Sequence, residues 1–392
     1  MLTLKLAFKN IAKAGLRTWL NVFVLSFAFV LIVGSQGIYE GMMRQMAGDM
    51  IDQEIGAGQF RDKNYDEYDA FTIDDSHSAV PQNVMGLIKK NEATPILYRS
   101  CAIFPNGRVQ PAILKGIDPS QKVINIPSEV LENKNDDLIP CLIGSRMAKN
   151  TGLKKDDVFT VRWRDVYGTF DAMDLYVVDI MSTTLQSIDN GQVWIPLHTL
   201  ENMIKAPGEA TVITFRKDVK QISEVSGDWK YFDQDYLLKD VYKFISQKKM
   251  GGTILYGLLL AMALLAIFDT QVLAIFRRRK EMGTLMALGM TRGKVIQLFT
   301  LEGTMHGILA VLLGALYGIP LLAYFSSVGL QLPEAVDQAG LSISTNLYPV
   351  YTVQLFVVTS LILFISVLIV SFLPTRKIAK LRPTEALRGT TR

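Results

Sequence analysis

Four apolar stretches set the strongest limit on what this chain of 392 residues can fold into. Each is long enough for one bilayer crossing, which takes about 20 residues of α-helix. They lie near residues 19–38, 251–276, 296–325 and 348–373. The long interval after the first stretch has room for one or two water-soluble subdomains. The sequence therefore predicts a polytopic α-helical membrane protein with four transmembrane helices and a large α+β extracytoplasmic domain between the first two.

Positive charge is concentrated beside one end of these stretches. Residues 1–17, 277–294 and 375–392 together hold sixteen of the 41 Lys and Arg residues and two of the 37 Asp and Glu residues. Cytoplasmic flanks of membrane spans collect Lys and Arg. We therefore expect both termini and the 277–294 loop in the cytoplasm, with residues 39–250 and 326–347 outside. Membrane position accounts for the basic runs, so a DNA-binding role is not needed to explain them.

The predicted boundaries follow from these two patterns. The first span is interpreted as an uncleaved anchor, because its apolar stretch is long for a signal peptide and no A-x-A cleavage site follows it. The expected segments are a cytoplasmic amphipathic helix at 1–17, transmembrane helices at 18–38, 251–276, 295–325 and 348–373, the outer domain with its stalk helices at 39–250, a cytoplasmic helical loop at 277–294, an outer loop at 326–347 and a cytoplasmic tail at 374–392.

The outer domain alternates short β-like runs with turns, as expected for a mixed α+β fold. Its two cysteines, Cys101 and Cys141, could be bridged in an oxidising compartment or remain as buried free thiols. The predicted elements are strands at Ala112–Gly116, Val158–Trp163, Leu175–Ile180, Val193–Ile195 and Thr211–Phe215, short helices at 145–151 and 197–205, and stalk helices at 40–55 and 233–250.

Motifs that would give the chain its own catalysis are missing. The sequence has no G-x-x-x-x-G-K-[ST] loop for nucleotide phosphates, no H-E-x-x-H or CxxC motif and no G-x-S-x-G turn. Its three histidines, His77, His198 and His306, do not have the spacing of metal ligands. We therefore expect a non-catalytic chain with no metal and no cofactor of its own.

The stretch Arg277–Gly307 carries the most information, with the sequence RRRKEMGTLMALGMTRGKVIQLFTLEGTMHG. A basic cluster precedes a predicted short helix over Glu281–Leu288, in which Met282, Leu285, Met286 and Leu288 supply apolar contacts. Gly289 suits the end of this helix, and Thr291 suits the N-cap of the next one. The helix could dock a cytoplasmic partner or lie on the lipid headgroups.

This stretch resembles the signature of FtsX-like ABC-transporter permeases, roughly R-R-x-E-[IM]-G-x-[LM]-x-A-[LI]-G followed by Leu-Glu-Gly. LAFKNIAKAGLRTWL (6–20) and LPTRKIAKLRPTEALRG (373–389) are similar to the two ends of that family. CLIGSRMAKNTGLKKDDVFTV (141–161) and VWIPLHTLENMI (193–204) resemble the MacB-type periplasmic core. Residues 56–68 resemble the corresponding stretch of lipoprotein-releasing, Lol-type permeases, the closest group within the family.

The resemblance implies a mechanical subunit in the bacterial inner membrane. Two permease chains, identical or paralogous, would pair above a cytoplasmic ABC ATPase dimer that holds the ATP and Mg sites. Membrane lipids and a lipoprotein, or a periplasmic carrier or adaptor, complete the expected partners, and no nucleic acid is expected. The ATPase would be coupled through Arg277, Arg278, Arg279, Lys280, Glu281, Gly283, Leu285, Ala287, Leu288, Gly289 and Thr291.

Polar groups inside the spans are candidates for function, because charge in a bilayer is costly. Glu302 and His306 lie one turn apart in the third span, and Asp269 lies near the inner end of the second. We expect Glu302 to form a structural or coupling pair with a nearby Arg or Lys, and we interpret Asp269 in the same way; a proton or substrate site is the alternative.

A stripe of small residues in the third span would let another helix approach closely. That helix could belong to this chain or to a second permease. The stripe consists of Gly303, Gly307, Ala310, Gly314 and Gly318.

Three functions within the family compete. Lipoprotein release from the inner membrane is favoured, because those permeases have four spans, no fused ATPase and an outer domain of this size. MacB-like efflux through a periplasmic adaptor and FtsX-like mechanotransmission to a cell-wall hydrolase are the alternatives. Outside the family, a sensor or adhesion domain on a four-span anchor is possible on topology alone, and the coupling-like helix argues against it.

Overall fold

The structure, a computed structural model, describes residues 16–132, 138–183, 185–219, 227–331 and 346–376. The chain divides into two compact units. The membrane unit comprises residues 1–42, 244–330 and 347–392, and the sheet unit comprises residues 43–243 and 331–346. The amphipathic helix predicted at 1–17 and the tail predicted at 374–392 lie almost entirely outside the described residues.

Helices and strands alternate through the sheet unit, whereas the membrane unit is helical. The helices are α1 (Leu16–Met50), which continues as a π-helix at Ile51–Ile55, α2 (Gln82–Lys89), α3 (Ser145–Thr151), α4 (Gln186–Asp189), α5 (Leu197–Ile204), α6 (Gln234–Leu237), α7 (Lys239–Arg277), α8 (Arg279–Ala287), α9 (Arg292–Val328) and α10 (Val353–Thr375). The strands are β1 (Gly58–Asp62), β2 (Ser78–Ala79), β3 (Ala93–Phe104), β4 (Gln110–Ile117), β5 (Ile139–Gly144), β6 (Val158–Arg164), β7 (Phe170–Met181), β8 (Gln192–Pro196), β9 (Glu209–Ala210), β10 (Val212–Phe215), β11 (Trp229–Asp233), β12 (Leu330–Gln331) and β13 (Asn346–Leu347).

Four of these helices are long and apolar enough to cross a membrane: α1, α7, α9 and α10. The structure therefore has four candidate spans, as predicted, and two of these helices have ends that differ from the bounds expected for the spans. Helix α9 runs through Pro320 to Val328 instead of ending by residue 325, since a proline is tolerated in a membrane helix when neighbouring groups satisfy the freed carbonyl. Helix α10 begins at Val353 instead of residue 348, because Thr352 caps it by accepting a hydrogen bond from the Leu355 amide.

Strand β3 organises the sheet unit. One of its edges pairs with β4 along nearly its whole length, while the other edge pairs first with β10 and then with β6. The remaining pairings run β4–β8–β5–β7–β6, so six strands close into a ring, and β10, β1 and β11 extend the sheet from β3. Closure leaves these six strands without a free edge over the paired residues.

A hydrophobic core fills the ring. Trp163 is fully buried, and its indole N–H donates to the Met203 carbonyl at 3.0 Å. Helix α5 closes one side through Leu200 and Ile204, which are inaccessible to solvent. These side chains pack with alternate residues of the strands, including Leu97, Leu114, Ile143, Val161, Val177 and Val193.

The buried carboxylate of Asp165 stabilises the turn of the β6–β7 hairpin. Asp165 accepts hydrogen bonds from the Tyr167 and Thr169 amides and from Lys205 Nζ at 2.6 Å. The hydrogen bond from Lys205, followed by the amide hydrogen bonds, holds the pKa of Asp165 below its usual range, although burial acts in the opposite direction. This turn is a structural part of the sheet unit.

Cys101 and Cys141 are free thiols in the structure, so the alternative of a bridge is not the one observed. They lie on β3 and β5, which are three strands apart in either direction around the ring. Strands are spaced by about 4.8 Å, and a disulfide needs Cα atoms within about 7 Å, so opposite walls of the ring are too far apart to be bridged. Burial raises the pKa of Cys101 to about 12 and also raises that of Cys141.

The membrane unit has its own apolar core, in which α1 contributes the largest share. Phe29 and Val33 of α1 are buried against Ile267 of α7, Ala310 of α9 and Val367 of α10. A hydrogen bond of 2.6 Å from the Asn21 side-chain amide to the Thr270 hydroxyl also joins α1 to α7. These contacts hold the four long helices as one bundle.

Candidate functional site

The site begins with α8, the short helix between α7 and α9. Its C-terminus is closed by a Schellman motif: the Gly289 amide donates to the Met286 carbonyl, and the Met290 amide donates to the Leu285 carbonyl. Gly289 has φ +93°, a conformation that glycine adopts at little cost. The prediction that Gly289 ends this helix is therefore confirmed. Thr291 is the N-cap residue of α9 as predicted, but its side chain makes no capping hydrogen bond.

One apolar side chain fixes α8 to the bundle. Met282 is fully buried in a cluster with Ile275 of α7 and with Val295 and Phe299 of α9. Leu285 and Met286 are half-buried. Leu288, one of the predicted apolar contact residues of this helix, is 80% exposed.

A charged pair ties the start of α8 to α9. Arg278 Nη1 lies 2.7 Å from Oε1 and 2.9 Å from Oε2 of Glu302, and Arg278 Nε lies 2.6 Å from Glu281 Oε2. The Arg278 guanidinium also lies over the Phe299 ring, 4.9 Å from its centre. Hydrogen bonds between two ionised groups are stronger than neutral ones. The expected pairing of Glu302 with a local cation is therefore observed, and its partner is Arg278.

The opposite side of α8 is open. Lys280, Glu281, Ala287 and Leu288 are exposed, while Gly283 is buried with Met282. Arg277 is exposed, and Arg279 is half-buried with its guanidinium 4.4 Å from the centre of the Phe276 ring. The arrangement can present one exposed leucine among charged groups to another protein while its inner side stays fixed.

The other two intramembrane polar residues behave differently from Glu302. His306 is buried, with Nδ1 3.0 Å from the Gly303 carbonyl oxygen, and its Nε2 has no hydrogen-bond partner within the described chain. Asp269 is exposed and makes no ion pair or hydrogen bond with any residue that the structure describes. A local pair for Asp269 therefore stays a prediction.

The small-residue stripe of α9 packs inside this chain. A Cβ on Gly303 would lie 2.5 Å from Ser371 Oγ of α10, and one on Gly307 would lie 3.3 Å from Val367. A Cβ on Gly318 would lie 2.6 Å from a methyl group of Val30 in α1. Gly314 meets Phe29 and Ala310 is fully buried, so of the two alternatives the structure has the one within the chain.

Sequence reasoning missed some of the polar contacts around this stripe. Gln271 of α7 and Ser371 of α10 are buried beside Gly303, and the Thr300 and Thr375 hydroxyls lie 3.0 Å apart. Uncharged side chains within long apolar stretches gave no signal that would single them out. In the sheet unit, no cluster of three or more metal-ligating side chains occurs among the described residues.

Two kinds of known protein resemble this chain. Residues 253–383 match the family described as FtsX-like permease C-terminal. The lipoprotein-releasing system transmembrane protein LolC of Xylella fastidiosa strain 9a5c is 23% identical over 312 residues, covering 73% of this chain and 75% of that protein. LolC of Neisseria meningitidis serogroup B is 19% identical over 332 residues, covering 77% and 76%.

The permease match contains the site, since it runs through α8 and α9. The two relatives extend the similarity to about three quarters of the chain. Subunits of this kind are the membrane-spanning, non-catalytic parts of ABC transporters. These similarities support an FtsX/Lol-type ABC permease family for this chain.

Proposed function

We propose that this permease works with a separate cytoplasmic ATPase and that α8 is where the ATPase docks. The observation that carries the proposal is the two-sided character of α8. Its inner side is fixed to α9 by Met282 and by the bidentate pair of Arg278 with Glu302. Its outer side exposes Leu288. A force applied at the exposed side would pass into the membrane helices rather than bend a loose loop.

The charge pattern supports the orientation that this coupling requires. The basic residues at 277–280, 292 and 294 surround α8, and Lys and Arg mark the cytoplasmic side of membrane spans. The N- and C-terminal basic runs would lie on the same side, leaving the sheet unit in the periplasm of a bacterial inner-membrane protein.

We further propose that the cargo is a lipoprotein extracted from the inner membrane. The relatives are described as proteins of a lipoprotein-releasing system, and the similarity covers much more than the membrane helices. An apolar groove of about 720 Å³ also opens in the membrane unit between α1, α9 and α10. Phe29, Ala315, Tyr351, Phe356 and Leu361 line it, and such a surface suits a hydrocarbon chain.

Purification with candidate ATPases tests the docking proposal. Leu288→Asp should abolish copurification of the ATPase, because it places a charge at the exposed apolar contact. Val109→Asp is the matched control, since Val109 is also exposed but belongs to the sheet unit. Equal ATPase recovery with Leu288→Asp and wild type would place the docking surface elsewhere.

Stimulation of ATP hydrolysis tests the cargo. Acylated lipoprotein should raise the ATPase rate of the purified complex, and the same polypeptide without its acyl chains should not. A rate that responds to neither would contradict lipoprotein release and favour an efflux or signalling permease. Recovery of a periplasmic adaptor with the complex would point to efflux.

A further inference from the structure

The apolar groove between α1, α9 and α10 has regular walls. Helix α9 lines it with Val311, Ala315 and Ile319, which recur every fourth residue and so lie on one side of that helix. Helix α10 lines it with two such series, which together run from Val353 to Phe364. The distance between these two positions along the helix is about 16 Å, close to half of a hydrocarbon core of about 30 Å. The groove therefore runs through one leaflet, from the interface toward the middle of the bilayer.

The mouth of the groove is fixed by the segment that precedes α10. The Val350 amide donates to the Gly37 carbonyl of α1 at 2.9 Å. The Ser326 hydroxyl of α9 donates to the Pro349 carbonyl, also at 2.9 Å. The Tyr351 ring packs closely on α1, because a Cβ on Gly37 would lie 2.0 Å from it. The phenol of Tyr351 is thus held at the start of the groove, as is typical of a tyrosine at a membrane interface.

The groove is closed toward the bundle and open on its other side. Phe29 of α1, which is 1% exposed, closes it, with its ring centre 6.4 Å from that of Phe356. On the open side, Val353, Val357 and Leu361 are 81%, 60% and 56% exposed. A hydrocarbon chain can therefore enter the groove sideways from the surrounding leaflet.

We propose that this groove holds one acyl chain of an outer-leaflet phospholipid, with the headgroup beside the Tyr351 hydroxyl. In the orientation proposed above, α10 begins at the periplasmic surface, so the leaflet is the outer one. A phenol hydroxyl can donate to a phosphate or ester oxygen. Because hydrocarbon gains little by leaving other hydrocarbon, retention of the lipid depends on packing against the walls and on this hydrogen bond.

A phospholipid fits the groove better than the acyl chain of a cargo lipoprotein does. The groove of about 720 Å³ is formed by a single copy of the chain and opens directly to the leaflet. Phospholipid therefore reaches it without the ATPase, a second permease or any movement of the helices. The inference goes beyond the proposed function, since it names a resident lipid of the membrane unit. The cargo proposal would then rest on the relatives alone.

Native mass spectrometry of the full-length chain, purified from membranes in mild detergent, tests the occupant. The unsubstituted chain should retain one diacyl phospholipid per copy. Ala315→Phe should lower the retained fraction by roughly tenfold, because the larger side chain fills the groove. Ala261→Phe is the matched control, since Ala261 is an exposed alanine of α7 that does not line the groove.

Tyr351→Phe tests the mouth of the groove separately. The substitution removes the hydroxyl and keeps the ring that packs on Gly37, so the chain should fold as before. Retention of the phospholipid should fall by about fivefold, the effect of one lost hydrogen bond. The elution volume in size-exclusion chromatography and the melting temperature should match those of the unsubstituted chain, which separates lost binding from lost folding.

The possible results are distinguishable. A chain that carries no phospholipid, or equal retention by Ala315→Phe and Ala261→Phe, would overturn the inference. A bound mass that corresponds to an acylated polypeptide would overturn it as well and would assign the groove to the cargo. Unchanged retention by Tyr351→Phe would overturn the placement of the headgroup. Stimulation of ATP hydrolysis by acylated lipoprotein tests the proposed function independently, because it is measured on the unsubstituted complex whether or not a phospholipid is retained.

Discussion

Replacing Glu302 by Gln removes the charge that holds Arg278 against α9. The bidentate contact has distances of 2.7 and 2.9 Å, and the side chains of Arg278 and Glu302 are 26% and 15% exposed. Exposed ion pairs contribute at most about 1 kcal/mol, whereas removing one partner of a buried pair costs about 3–5 kcal/mol. This pair lies between those limits. We therefore expect a cost of about 2 kcal/mol, which corresponds to a roughly 30-fold larger population with α8 detached.

Limited trypsin digestion measures that population. The 277–294 segment is rich in Arg and Lys, and cleavage within it requires local opening when opening is fast relative to cleavage. Glu302→Gln should accelerate cleavage there by about 30-fold. Glu281→Gln is the matched control, because Glu281 contacts the same Arg278 from a position that is 61% exposed, and it should change the rate by less than about fivefold. Equal acceleration by both variants would refute the conclusion that the Arg278–Glu302 pair holds α8 against α9.

Three further results are expected. Gly303→Val should destabilise the membrane unit by about 1–3 kcal/mol, because the site has no space for a side chain, whereas Gly293→Val should not meet any steric obstacle; thermal denaturation in detergent compares them. Cys141 should resist maleimide labelling until the chain unfolds, since burial raises the pKa of its thiol. Because Lys205 lowers the folded-state pKa of Asp165, the stabilisation is present above about pH 4 and is lost as the pH falls further, so Asp165→Asn should flatten the acid side of the melting-temperature profile.

Local patterns predicted the regular parts of the fold well. The helix expected at 145–151 is α3, and the strand expected at Val158–Trp163 is β6 with one more residue. The organising strand β3 was not predicted, because Pro95, Arg99 and Ser100 interrupt its apolar pattern.

Arg99 illustrates why such a strand escapes sequence reasoning. It is 1% exposed, yet its guanidinium donates to three backbone carbonyls, those of Asp74, Arg164 and Asp165. A buried cation is compatible with a strand only when distant segments supply acceptors. That information exists in the tertiary fold and not in the neighbouring residues.

The candidate site divides in the same way. The helix, its glycine terminus and the need of Glu302 for a cation follow from the sequence, because each depends on neighbouring residues or on the cost of charge in a membrane. The choice of Arg278 among several basic residues does not, since it depends on how α8 folds back onto α9. The Phe299 ring lies against the Arg278 guanidinium. The sequence could not single out this phenylalanine, because it stands within an apolar stretch.

The two carboxylates near the C-terminal end of α7 and the N-terminal end of α9, Asp269 and Glu302, obey one physical rule and give opposite structural results. Each must be neutralised or hydrogen-bonded, because hydrocarbon offers neither. Glu302 meets this requirement within the chain, and the contact fixes α8. Asp269 does not meet it within the described residues, on a helix face turned away from its own bundle. The presence of a carboxylate in an apolar stretch therefore does not decide which residue forms a pair within the described chain; the pair forms where α8 folds back onto α9 and brings Arg278 to the carboxylate.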